Sequence, residues 1–195
     1  MNTLIDLGTV TGSAEAITVP VARAHCHVFH NDDDPDLARL IVAARERLEI
    51  QADGKRVRDR SVRLLLPKFP TWSIRLEGSP LISVSAIKYL DADGAEQTIT
   101  ASEYVVSQAT QPGRVEPAYG ESWPTTREHP EAVRIEYSLG YGSAAAVPSI
   151  AIQAMLLMIG HWYANREEVV AGTIATAVPN TANDLAAMFA AGDYR

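Results

Sequence analysis

One segment constrains this chain more than any other: Val147 to Val170, reading VPSIAIQAMLLMIGHWYANREEVV. From Ile150 to Ile159 only Gln153 is not apolar. A helix that is apolar nearly all round is either a core helix or a membrane span. Spanning takes roughly 20 mainly apolar residues. This run is shorter and Ala-rich, which predicts the central helix of a soluble fold. Pro148 falls in its first turn, where a missing N–H costs nothing. The apolar part runs directly into a polar stretch, Trp162-Tyr163-Ala164-Asn165-Arg166-Glu167.

A chain of 195 residues suffices for one domain with a real core and an insertion or arm. Its 47% hydrophobic content argues against disorder. With 24 acidic and 17 basic residues, the net charge is −7. That balance makes tight non-specific DNA binding a poor expectation, because neutralising phosphates needs clustered Lys and Arg. A lone cysteine, Cys26, rules out an internal disulfide and fits a reducing compartment. The first residues lack a basic stretch followed by an apolar core, so no signal peptide is expected.

Along the chain, 1–16 is weakly patterned and reads as a flexible N-terminal arm. Thr18 to Val28 reads as a short helix with Thr18 as N-cap and Pro20 in the first turn. Asn31-Asp32-Asp33-Asp34-Pro35 is a strong helix-start signal. In the helix that follows, Leu37, Leu40, Ile41, Ala44 and Leu48 share one face, while Arg39, Glu46 and Glu49 lie elsewhere. Gly54 suits its end. From Val62 the hydrophobic period changes to two. Val62 to Leu66, Ile74 to Leu76, Val84 to Leu90 and Gln97 to Thr100 read as strands, with a turn at Asp91-Ala92-Asp93-Gly94. Gln111 to Pro130 is rich in Pro and Gly and reads as irregular loop. Val133, Ile135, Tyr137 and Leu139 give the cleanest alternation. After the central helix, Ala171 to Asn180 reads as loop and Asn183 to Ala191 as a last helix. The expected class is α+β, mainly helical, with helices from both ends of the chain packing together around an inserted antiparallel β section at about 62–139. The expected domains are the arm 1–16, a single domain 17–170 carrying the insertion, and a C-terminal arm 171–195.

Few residues suggest chemistry. His25-Cys26-His27 with His30, Asp32, Asp33 and Asp34 holds possible metal ligands. On a helix, however, His25 and His27 do not share a face, and the acids are explained by the helix start, so no metal is expected. Asp91-Ala92-Asp93-Gly94 lacks the remaining calcium-loop ligands. The basic cluster Lys55-Arg56-Val57-Arg58-Asp59-Arg60 with Arg63 reads as a solvated face, with contact to an acidic partner or nucleic acid as the alternative. There is no nucleophile elbow, P-loop or dinucleotide fingerprint. Glu167 and Glu168 are adjacent on a helix and so point apart. His161-Trp162-Tyr163, with polar-tipped aromatics, suits either the end of the core helix or a contact between subunits.

Several stretches, taken in order, resemble one known family. They are Asn31-Asp32-Asp33-Asp34 before the Ala/Arg-rich helix, Ser79-Pro80-Leu81, and Ile87-Lys88-Tyr89-Leu90-Asp91-Ala92-Asp93-Gly94. Then come Glu121-Ser122-Trp123-Pro124-Thr125-Thr126, Gly140-Tyr141-Gly142 with Val147-Pro148, and His161 to Glu167. From about Ile17 to Tyr194 the chain resembles the head–tail connector (adaptor) proteins of tailed bacteriophages, including those of phage-like gene transfer agents. The resemblance implies a structural protein with no catalytic activity and no cofactor. It implies a dodecameric ring beneath the portal protein that extends the DNA channel towards a stopper or tail-completion protein. DNA passes without specific binding, and no membrane is involved. The place implied is the neck of a virion or phage-like particle, assembled in the bacterial cytoplasm. The C-terminal segment from Ala171 to Arg195 is implied to reach the portal. A ring needs two different contact faces on each copy. Trp162, Tyr163, Arg166, Leu185, Met188, Phe189, Tyr194 and Arg195 are the residues expected to supply them. The alternatives are another neck component, such as a head-completion or tail-terminator protein, and a small metal-assisted enzyme using His25, His27 and His30.

Overall fold

Alternating and helical hydrophobic periods occupy different stretches of this chain. The computed structural model describes residues 2–9, 14–165 and 180–192. The chain divides into two compact units, Met1–Ser13 with Asp59–Gly142, and Ala14–Arg58 with Ser143–Arg195.

The first unit is a two-sheet β structure. A five-stranded antiparallel sheet has the order β1-β2-β8-β4-β5. Its strands are β1 (Thr3–Thr9), β2 (Arg60–Leu66), β4 (Leu81–Leu90), β5 (Glu96–Thr98) and β8 (Val133–Leu139). The register aligns three rows across β2, β8 and β4: Leu66–Val133–Tyr89, Leu64–Ile135–Ile87 and Val62–Tyr137–Val84. Period-two alternation puts these rows on one face. That face packs with Ile74, Leu76 and Val115 of the second sheet region. The second sheet has the order β3-β7-β6, from β3 (Ile74–Arg75), β6 (Tyr104–Ser107) and β7 (Arg114–Pro117). The Tyr137 hydroxyl, carried into this core, donates to the Glu77 carbonyl at 2.7 Å. The opposite face of the large sheet is polar, with Arg63 on Glu136 at 2.6 Å and Arg134 on Glu96 at 2.9 Å.

The second unit is helical among the described residues. It contains α1 (Val19–His25), α2 (Asp34–Gln51), a 3-10 turn (Ala144–Ala146), α3 (Ser149–Ala164) and α4 (Asn180–Ala191). The apolar run of α3 makes it central: it packs against α1, α2 and α4. Met155, Met158 and Ile159 are fully buried, each stabilising the fold by about 1.5–3 kcal/mol relative to exposure. Gly160 lets α1 approach, since a Cβ there would lie 3.2 Å from His25 Nε2.

Several expectations need correction. The protein is α+β, but with about 32% helix and 27% strand it is not mainly helical. Helices from the two parts of the chain do pack together, yet the first element is a strand. Thr3–Thr9, within the expected arm, pairs along β2 from Thr3↔Leu65 to Thr9↔Arg60. Its alternation is hard to see because an edge strand with mostly exposed side chains needs no apolar face. Gln111 to Pro130 is not all loop, since β7 buries Val115 completely. The strand β6 was also not foreseen. Glu49, assigned to the outer side of α2, is buried together with Arg45. The last helix starts three residues earlier than expected. Of the expected loop from Ala171 to Asn180, Asn180 opens α4 and 171–179 lie outside the described residues.

Candidate functional site

Residues at the end of α3 are the natural place to look for function, because apolar periodicity stops there while large aromatics continue. Trp162 and Tyr163 are both half-buried. The Tyr163 hydroxyl donates to Asp33 Oδ2. Asp33 is the N-cap residue of α2, although its side chain makes no cap bond. The acidic helix start therefore also anchors the end of α3. The Arg47 guanidinium lies 5.8 Å from the Trp162 ring centroid, a contact worth roughly 0.5–1 kcal/mol at a partly exposed site. Both aromatics thus have intramolecular partners, while part of each ring faces solvent.

The second group lies on α4. Phe189 is 4% exposed, and so is part of the core of this unit, whereas Met188 is 61% exposed. Leu185 is half-buried. Lys55 Nζ donates to the Phe189 carbonyl at 2.7 Å and sits 5.2 Å from its ring centroid. A cation on the last carbonyls of a helix is favoured by the helix dipole. Sequence spacing had no means of signalling these pairs, which are separated by 130 and 134 positions. Arg166, Tyr194 and Arg195 lie outside the described residues.

The basic cluster is not a free cationic face. Arg45 and Arg58 grip the Glu15 carboxylate at 3.0 and 2.9 Å. Arg56 Nη1 lies 3.5 Å from Glu49 Oε2. In the β unit, Arg60 pairs with Asp6 at 2.8 Å, and Arg63 with Glu136. Lys55 caps α4. Burial of Glu49 accounts for its own pairing with Arg45 and Arg56, because an isolated charge is too costly inside.

The residues considered for metal chemistry do not converge. His27 stands at φ 56°, which turns the chain after α1, and His30 Nδ1 is 3.7 Å from Asp32. Among the described residues no group of three or more His, Cys, Asp or Glu is placed to hold a metal ion. Desolvation raises the Cys26 thiol above its ordinary value, which lowers its thiolate fraction. The Asp91 carboxyl is held below the ordinary carboxylate value, first by the Gln97 side-chain amide and then by the Ala95 backbone N–H. Those bonds account for Asp91-Ala92-Asp93-Gly94 as a hairpin turn, with Gly94 at φ 88°. No described helix is long and apolar enough to cross a membrane.

No protein-family model matches the chain, and no curated protein does. Among solved structures, the fold is similar to a chain from the virion of a native gene transfer agent particle. That likeness has a TM-score of 0.74 at 22% identity, over 95% of this chain and 94% of the other. A chain in the neck of a native gene transfer agent particle, computed with C12 symmetry, gives 0.71 at 23% identity, over 96% and 94%. A chain in the neck of an empty particle, computed with C6 symmetry, gives 0.68 at 22% identity, over 94% of each chain. The fold, end to end, is thus one found in the necks of gene transfer agent particles.

Proposed function

We propose that this protein is a structural component of the neck of a phage-like particle. Within the neck we assign it the adaptor role: a ring beneath the portal that continues the DNA channel towards the stopper and tail. The observation that carries this reading is the fold likeness along nearly the whole chain to neck chains of gene transfer agents. The C12 symmetry of one of those necks supports twelve copies in the ring. The role is non-catalytic, and an acidic chain of net charge −7 favours passage of DNA over its retention.

A ring requires two unlike faces on each copy. The outer parts of Trp162 and Tyr163 serve as one, and the Met188 side of α4 serves as the other or as the portal contact. Mass photometry of the purified protein, alone and with portal protein, tests the assignment. A twelve-copy ring on the portal is expected. Failure to bind portal while binding a stopper or tail terminator would move the protein to another level of the neck. Trp162→Ala should reduce ring formation by more than it lowers monomer stability. If only stability falls, the residue is simply core.

A further inference from the structure

We propose that the groove between residues 67–71 and 122–128 of the β unit is a docking site for an extended acidic segment of a protein partner. The groove has a volume of about 440 Å³, within the usual range of roughly 300–1,000 Å³ for binding pockets. Phe69 and Trp123 are stacked there, with centroids 4.9 Å apart and planes within 5°. Tyr89 meets Phe69 edge-on at 5.8 Å. The Trp123 indole N–H donates to the Trp72 carbonyl at 2.6 Å, so its polar tip is satisfied and its ring orientation set. Pro67, Pro70 and Pro124 stiffen both walls by fixing φ. A surface already rigid in the free protein loses less entropy on binding.

Charge selects the occupant. Lys68 and Arg127 line the groove and are exposed. Among the described residues neither has an ion pair. Of the other cations of the same unit, Arg60, Arg63, Lys88 and Arg134 are paired, while Arg75 and Arg114, also without an ion pair among the described residues, do not line the groove. Two uncommitted cations beside an aromatic stack, on a chain of net charge −7, fit spaced carboxylates with apolar or prolyl residues between them. Glu128, also in the lining, disfavours an unbroken acidic run. Nucleic acid fits less well, because two cations neutralise far fewer phosphates than the roughly 6–10 contacts typical of a DNA-binding protein.

This inference does not rest on the neck reading. The test uses the full-length protein and a fluorescein-labelled peptide of alternating Glu and Pro, followed by anisotropy. A Lys-Pro peptide and an oligothymidylate are the comparison probes. Saturable binding of the Glu-Pro peptide with Kd below about 1 mM is expected. The exposed double variant Lys68→Glu/Arg127→Glu, with an unchanged circular dichroism spectrum, should bind it about tenfold more weakly. The proposal is overturned by absence of saturation, by unchanged affinity in that variant, or by equal binding of the Lys-Pro peptide or oligothymidylate. Loss of portal binding in the mass assay would leave these outcomes untouched, so the two readings fail separately.

Discussion

Replacing Glu49 tests the helical unit at its most demanding point. Its side chain is 2% exposed. Oε1 accepts the backbone N–H groups of Val57 at 3.0 Å and Arg58 at 3.2 Å. Oε2 faces Arg45 Nη1 at 3.4 Å and Arg56 Nη1 at 3.5 Å. In Glu49→Ala, Arg45 retains Glu15, and Arg56 is open enough to hydrate. The two backbone donors have no such recourse. Each is a hydrogen bond to a charged group, worth about 1.5–3 kcal/mol, so the loss of both should be about 3–6 kcal/mol. Glu49→Gln keeps an acceptor for both N–H groups but turns an amide donor towards two guanidinium groups. It should cost only about 1–2 kcal/mol. Urea unfolding followed by circular dichroism would measure both, with hydrogen exchange in α2 and α3 isolating the helical unit. At roughly 2–4 °C per kcal/mol for a chain of this size, Glu49→Ala should lower Tm by about 6–24 °C. A Glu49→Ala loss below about 1 kcal/mol, or a Gln variant as damaged as Ala, would refute the assignment of the main cost to the two backbone donors.

Other perturbations probe the remaining anchors. Gly140 stands at φ 130°, and a Cβ there would lie 2.7 Å from the Asp59 Cα; Gly140→Ala should cost about 2–5 kcal/mol through strain and overpacking, read as a fall in the urea midpoint of the β unit. Lys55→Met should loosen α4 by about 1–3 kcal/mol, seen as faster amide exchange around Phe189 with little change in the sheet. The Asp91 carboxyl should titrate below the ordinary carboxylate value in an NMR experiment, held down first by the Gln97 amide. Because its folded value is the lower one, its support for the hairpin is present above the unfolded value and is lost as pH falls through the folded value. Gln97→Ala should move that titration back up.

The helices announced themselves because each carries its own evidence. Pro20 and Pro35 mark two helix starts, and Leu37, Ile41, Ala44 and Leu48 line the buried face of α2. The alternation of β8 was equally plain, since every second residue from Val133 to Leu139 is buried. The strand Thr3–Thr9 was not legible: an edge strand paired on one side only carries little alternation. Val115 was hidden by the Pro and Gly around it, and Glu49 by the assumption that a carboxylate faces water.

The candidate contact residues divide in the same way. That His161, Trp162 and Tyr163 end a core helix follows from local pattern and holds without coordinates. That Tyr163 grips Asp33, that Arg47 covers Trp162 and that Phe189 is core while Met188 is exposed follows only from tertiary structure. The sequence by itself determined the helices and the strands with a clear apolar period, β2, β4 and β8, because those signals depend on neighbours within a few positions. Only the tertiary structure decided which charges are neutralised, because ion pairing joins side chains tens of positions apart and depends on distances of a few ångströms. It turned the basic run from Lys55 to Arg63 from an expected solvated face into a set of paired or capping cations. It also left Lys68 and Arg127, unremarkable in sequence, beside an aromatic groove with no ion pair among the described residues.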